Sequence, residues 1–433
     1  MAREMNDSGI AWVGEIPSEW HIEKHKYLFS CGKEIVGTSS KSTQLLSLTT
    51  QGVKKKSSDA VGGKLPESFD TYQIVEENNL IMCLFDLDCS AVFSGLSPFC
   101  GMISPAYKVL KCSAKILPKF ADYWFKFVFD GRKFKSYAKN LRYTLNYDEF
   151  SCIPMALPNL EEQLRIAMFL DRKCAEIDSV IADTQRTIEE YKKLKQSVIT
   201  QAVTKGIRGE RPMKDSGIAW IGEIPEDWNL GKVKYCTTKI GSGKTPKGGA
   251  EVYTDSGVLF LRSQNVYNEG LLLDSPTYIT NEVDEDMAST RVQANDILLN
   301  ITGGSIGRSC IFPAEHLPAN VNQHVSIIRV QQDKVLPGIM HYFWISRIGQ
   351  LAIDLYQTGG NREGMSGDAI ANTPFMYYSL DEQHEILMYL DEKCVEFDHL
   401  IQAKQQFLTE LESYKKSVIY EYVTGKKEVP TCQ

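Results

Sequence analysis

Residues 160–181 read LEEQLRIAMFLDRKCAEIDSVI, and residues 380–401 read LDEQHEILMYLDEKCVEFDHLI. The match continues without a gap to Thr204 and Thr424, with 20 identities in 45 positions. Within the first copy, Leu170, Cys174, Ile177, Ile181, Thr184, Ile188, Tyr191, Lys195, Val198 and Ala202 are spaced alternately by four and three. That spacing is the seam of a coiled coil. Adding 220 gives the second seam: Leu390, Cys394, Phe397, Ile401, Lys404, Leu408, Leu411, Lys415, Val418 and Tyr422. Asn159 with Glu162, and Ser379 with Glu382, have the spacing of a capping box, while Gly206 and Gly425 mark the ends. About 45 residues rising about 1.5 Å each predicts helices roughly 65 Å long. One such helix would suit a dimerisation stalk. Two matched copies in one chain predict an intramolecular pair.

A second repeat precedes each helix. Residues 5–20, MNDSGIAWVGEIPSEW, return as residues 213–228, MKDSGIAWIGEIPEDW, with 12 identities in 16 positions. The intervening segments, 21–159 and 229–379, share little. A short segment, a variable domain and a helix are therefore followed by the same three parts again. The expected boundaries are 1–159 for the first leader and variable domain and 160–212 for the first helix. They are 213–379 for the second leader and domain and 380–433 for the second helix. Runs such as Val258–Leu261 and Val325–Val330 read as strands, whereas Tyr123–Phe129 and Met340–Ile348 read as helices. The expected fold class is α/β: mixed α+β variable domains with two long coiled-coil helices, duplicated in a pseudo-two-fold architecture.

The chain has 433 residues, 43% of them apolar and 24% charged, an ordinary globular composition. No apolar run is long enough for a transmembrane helix, and the start lacks the apolar core of a signal peptide. Eleven cysteines without a C-x-x-C pair speak against a disulfide framework and a zinc site. A reduced cytoplasmic protein without metal or membrane is the expectation. The net charge of −7 is unevenly distributed. Residues 21–159 carry 18 Lys+Arg against 13 Asp+Glu, residues 229–379 carry 12 against 14, and residues 380–433 carry 6 against 11. A phosphate-binding patch is thus compatible with the first variable domain despite the acidic total.

No catalytic signature emerges. Gly241-Ser242-Gly243-Lys244-Thr245 resembles the end of a P-loop, but Thr238 stands where its first glycine belongs and Pro246 where its helix begins. Zincin, nucleophile-elbow, EF-hand and amino-methyltransferase motifs are absent. His324 reads as a satisfied polar residue. What remains is polar and basic chemistry on loops, suited to base edges and phosphates. In the first domain this comprises Gln51, Lys54, Lys55 and Lys56, with Lys139, Arg142 and Tyr143. In the second it comprises Ser242, Lys244 and Thr245, then Arg262, Gln264 and Asn265, then Gly304, Ser305 and Arg308, and finally Asn361 and Arg362. Arg142 and Arg362 already obey the 220-residue offset, so each is the leading contact candidate of its domain. Arginine can fork onto guanine or grip a phosphate, although a salt bridge to a neighbouring Asp is the alternative.

The leaders SGIAWVGEIPSEW and SGIAWIGEIPEDW, the helix start Pro158-Asn159-Leu160-Glu161-Glu162-Gln163, and the runs LDRKCAEID and LDEKCVEFD carry a resemblance. So do GSGKTP, ILLNITGGSIGR and LLSLTTQGV with SPAYKVL. Together they make the chain similar to the specificity subunit of a type I restriction–modification enzyme. That resemblance implies two target recognition domains, each reading half of a split sequence in double-stranded DNA. It also implies an antiparallel helix pair that docks two adenine-N6 methyltransferase subunits, with restriction/translocase subunits joining the full complex. S-adenosylmethionine, ATP and Mg would then sit on those partners, and this chain would hold no cofactor and no catalytic residue. The alternative is a coiled-coil scaffold or adaptor that never reads DNA.

Overall fold

A computed structural model describes residues 3–32, 34–56, 68–138, 140–357 and 364–430. The first variable domain is built on four antiparallel strands, β1 (Phe29–Cys31), β2 (Leu80–Met82), β3 (Ser94–Leu96) and β4 (Lys108–Cys112). They lie in the order β1-β4-β2-β3. Helix α1 (Pro118–Phe129) follows, started by a proline whose missing N–H costs nothing at that position. It buries Phe120, Trp124 and Phe125 in a core shared with Leu28, Phe134, Phe150 and Met155. Then comes the long helix α2 (Leu160–Lys205).

The second variable domain repeats this plan with different side chains. Strands β5 (Thr237–Ser242), β6 (Ile297–Asn300), β7 (Ser309–Ile311) and β8 (Val325–Val330) lie in the order β5-β8-β6-β7, again antiparallel. Helix α3 (Pro337–Ile345) and the second long helix α4 (Leu380–Val423) complete it. The correspondence extends to single turns. Asn78 and Asn295, two residues before β2 and β6, both take left-handed backbone angles, with φ 64° and 68°. The N–H of Asn78 bonds Ser97 O, as that of Asn295 bonds Phe312 O. Residues 21–159 and 229–379 thus share this topology while having little sequence in common.

The chain divides into two compact units, Met1–Gln185 with Gln406–Gln433, and Arg186–Gln405. Each long helix therefore contributes to both. In the first unit, residues 160–185 run antiparallel to 406–423: Phe169 lies on Tyr422 with ring centroids 4.4 Å apart, and Asp178 bonds Lys415 Nζ at 2.6 Å. In the second unit, Lys195 bonds Asp398 at 2.6 Å and Arg208 bonds Glu385 at 2.8 Å. Adding 220 converts Asp178 into Asp398 and Lys195 into Lys415, so the two lysine–aspartate bridges are one interaction made twice. Along the seam, Leu170, Ile177, Ile188, Leu390 and Val418 are buried, and Ile181, Val198, Phe397, Ile401 and Leu408 are half-buried.

The helix starts differ from expectation in one respect. Asn159 and Ser379 do accept the N–H groups of Glu162 and Glu382, at 2.9 and 3.3 Å. The two glutamates do not complete the box. Each turns inward instead, where Glu162 accepts the indole N–H of Trp20 at 3.0 Å and Glu382 that of Trp228 at 3.1 Å. Arg3 joins Glu162 and Arg211 joins Glu382. A buried carboxylate needs such partners, and the leaders supply them. Beside them, Gln163 accepts the Leu117 N–H at the start of α1 at 2.8 Å, and Gln383 does the same for Leu336 at the start of α3. The leader, the variable domain and the helix are thus fastened by the same buried groups in each unit.

Candidate nucleic-acid interface

Antiparallel order in the second domain brings the end of β5, the start of β8, the end of β6 and the start of β7 to one edge of the sheet. Ser242 ends β5 and the turn after it carries Lys244 and Thr245, all three exposed. Its Gly243 donates to Val325 O at 3.0 Å, and a Cβ there would lie 1.9 Å from Val321 O. This glycine is demanded by close backbone packing, which explains the P-loop-like spelling without a phosphate. Lys244 Nζ reaches Ser289 Oγ at 3.1 Å.

The loop between β6 and β7 carries Gly304, Ser305 and Arg308. Arg308 lies over the Tyr267 ring, 4.5 Å from its centroid. Buried Asn300, at the end of β6, donates to Ser263 O at 2.8 Å and to Ser305 Oγ at 3.2 Å, which joins this loop to the turn bearing exposed Gln264. The turn entering β8 is drawn in as well: Ile301 N–H bonds His324 O at 3.0 Å, and Thr302 Oγ1 lies 2.6 Å from His324 Nδ1. Ser242, Lys244, Thr245, Gln264, Gly304, Ser305 and Arg308 therefore share one sheet edge.

Two neighbours on the same stretch of sequence play an internal part. Asn265 is buried, accepting the Arg262 N–H at 3.0 Å and donating to Leu272 O at 2.9 Å. Arg262 is half-buried, bonds Thr277 Oγ1 at 2.8 Å and packs over Tyr253. They hold the turn that presents Gln264.

In the first domain the loop between β2 and β3 occupies the matching edge. Leu87 N–H bonds Tyr143 O at 3.1 Å and Leu145 N–H bonds Leu84 O at 2.7 Å, which seats the Arg142 segment against that loop. Met365 N–H bonds Ile301 O at 2.9 Å in the equivalent place of the second domain. Arg142 is exposed, and no ion pair to Asp148 is found among the described residues. Tyr143 takes a left-handed φ of 46°, with Lys135 Nζ 4.2 Å from its ring centroid. Arg132 donates to Ser90 O at 2.6 Å, adding a cation that the sequence reading passed over. Lys139, Asn361 and Arg362 lie outside the described residues.

The remaining first-domain candidates sit on a hairpin, Leu46–Thr49 with Gly52–Lys55. Lys54 Nζ bonds Gln51 Oε1, and Lys55 lies over Phe99, 4.8 Å from its centroid. Lys56 follows and is exposed. Gln51 lines a cleft of about 1150 Å³ together with Lys119, Met168, Asp171 and Lys415; Arg142 is not among its lining residues. Among the described residues no group of three or more His, Cys, Asp or Glu is placed to hold a metal, and no helix is long and apolar enough to cross a membrane.

Two α/β domains of one topology are thus each followed by a long helix, and the two helices pair within each unit. In two comparisons the chain is similar to type I restriction enzyme specificity subunits. It is 24% identical over 376 residues to the type I restriction enzyme MjaVIII specificity subunit of Methanocaldococcus jannaschii, covering 86% of this chain and 84% of that one. It is 27% identical over 328 residues to the putative MjaX specificity subunit of the same organism, covering 73% and 70%. Its fold matches a chain from a solved structure concerned with complex assembly and conformational transition of the type I R-M system. There the TM-score is 0.71 and the identity 13%, with 95% of this chain and 99% of that one covered. No protein-family model matches the chain.

Proposed function

We propose that this chain is the DNA-addressing subunit of a type I restriction–modification complex, with each recognition domain reading one half of a bipartite target. One observation carries the reading. Two domains with little sequence in common keep one sheet topology and one set of helix attachments, yet differ in the loops at the same sheet edge. Address changes while mounting stays constant. The second domain's edge holds hydroxyls, amides and cations, and the first holds Arg142, Lys135 and Arg132, groups suited to base edges and phosphates. The chain's own part is binding and orientation. Methyl transfer, ATP and Mg belong to partner subunits.

Docking of two methyltransferase subunits on the helices is supported by exposed apolar residues that recur at the 220-residue offset. Met168 matches Met388, Val180 matches Leu400, and Leu194 matches Tyr414, each between 39% and 74% exposed. Each unit contains one member of every pair, so two equivalent seats exist on one chain. The test is co-purification with the methyltransferase subunit, followed by native mass spectrometry and DNA binding at several salt concentrations. Two methyltransferase subunits per chain and sequence-selective, salt-sensitive binding are expected. A stable complex without DNA selectivity would favour the scaffold reading instead.

A further inference from the structure

The turn entering β8, Asn322-Gln323-His324, is not among the residues to which DNA contact was assigned from sequence, and its geometry is that of a prepared reading head. Gln323 is exposed. Its amide nitrogen lies 3.0 Å from His324 Nε2. An amide nitrogen can only donate, so Nε2 accepts and the imidazole proton sits on Nδ1, which donates to Thr302 Oγ1 at 2.6 Å. His324 N–H is itself held by Asn322 Oδ1 at 3.1 Å. Both ring nitrogens are therefore engaged inside the protein, and the ring serves to orient the glutamine beside it. Gln323 Oε1 takes no part in that bond. An exposed carboxamide with one end pinned is pre-organised for a base edge, where Gln pairs with adenine N6 and N7.

The neighbouring loop leaves room for such a contact. At Gly304 no positive φ requires glycine, and a Cβ would meet nothing within 4 Å. The fold does not need this glycine. Gly243, by contrast, is required by the carbonyl of Val321. A side chain missing from an open position beside a fixed polar group admits close approach from outside.

We propose that Gln323 is a base-reading residue of the second recognition domain, positioned by His324 and Thr302, with Gly304 marking where DNA passes closest. The inference rests on the DNA-addressing reading above. Gln323→Ala and Gly304→Ala are made in the full chain, co-purified with its methyltransferase subunit, and tested on the duplex identified by mapping N6-methyladenine in cells carrying the system. A set with each base pair of the second half-site changed in turn accompanies it. Gln323→Ala is expected to lose roughly 5- to 150-fold in affinity for the cognate duplex and to lose discrimination at one base pair. Its salt dependence should be unchanged, since no phosphate contact is removed. Gly304→Ala should weaken binding with an unaltered melting temperature, whereas Gly243→Ala should melt early. Uniform loss over all sequences with a shallower salt slope, or no loss at all, overturns the assignment. If the unmodified complex shows no sequence preference, it is the DNA-addressing reading that fails.

Discussion

Replacing Glu382 with alanine removes the acceptor shared by Trp228 and Arg211 at the root of the second unit. The carboxylate is 2% exposed and the indole it serves is buried against Tyr378, with ring centroids 3.9 Å apart. Truncation leaves the Trp228 N–H without its partner and Arg211 with Asp227, at 2.5 Å, as its remaining carboxylate. Breaking a buried pair on one side costs about 3–5 kcal/mol, and the surviving Asp227 bridge places this case near the lower figure, about 3 kcal/mol. For a compact unit of this size each kcal/mol shifts the midpoint by roughly 2–4 °C, so a fall of roughly 6–12 °C is expected. Differential scanning calorimetry of the full chain reads it. Glu382→Gln keeps an acceptor for the indole and should recover part of the loss, while Glu162→Ala should cost the first unit a similar amount. A Glu382→Ala variant within about 1 kcal/mol of the unmodified protein would refute the claim that this group fastens leader to helix.

Burial holds His25 down to about 3 and His341 down to about 4, so both rings stay neutral in the folded chain. The unfolded chain binds protons at these sites below about pH 6.5, so stability should fall as pH drops from there towards those values, by up to about 1.4 kcal/mol per pH unit for each ring. An NMR titration showing either imidazole protonating near pH 6.5 would contradict this. Tyr342→Phe removes a 2.8 Å bond to exposed Asp391 and should cost about 1 kcal/mol in denaturant melts, without changing the helix content seen by circular dichroism. Arg142→Ala should lower specific DNA affinity roughly 5- to 150-fold if the side chain reads a base, and unchanged binding would remove it from the interface.

Element types were legible where periodicity is strong. The 4–3 spacing from Leu170 to Ala202 gave α2, the same spacing displaced by 220 gave α4, and the β-branched run at Val325–Val330 gave β8. The glutamate at N3 misled, because Glu162 and Glu382 have the spacing of a capping box while their partners, Trp20 and Trp228, lie more than 140 residues away. No local rule sees a contact of that separation. The shared topology of the variable domains was hidden for a related reason. It resides in backbone register, such as Ile81 on Val109 and Leu298 on Ile327, which different apolar side chains satisfy equally. Among candidate site residues, sequence pattern picked out stretches but not which of their side chains face outward. Gln264 and Asn265 are neighbours, yet one is exposed and the other is an internal brace. His324 read as a satisfied residue, and both of its ring nitrogens are engaged; the exposed Gln323 beside it carried no signal of its own.

If each recognition domain supplies one half of the address, exchanging one domain tests this most directly. Residues 229–379 would be replaced by the equivalent segment of a relative with a known target, keeping both leaders and both helices. Mapping N6-methyladenine in cells that express this hybrid with its methyltransferase subunit should show a bipartite site with one half unchanged and the other half that of the donor. A site altered in both halves, or unaltered in either, would contradict the account.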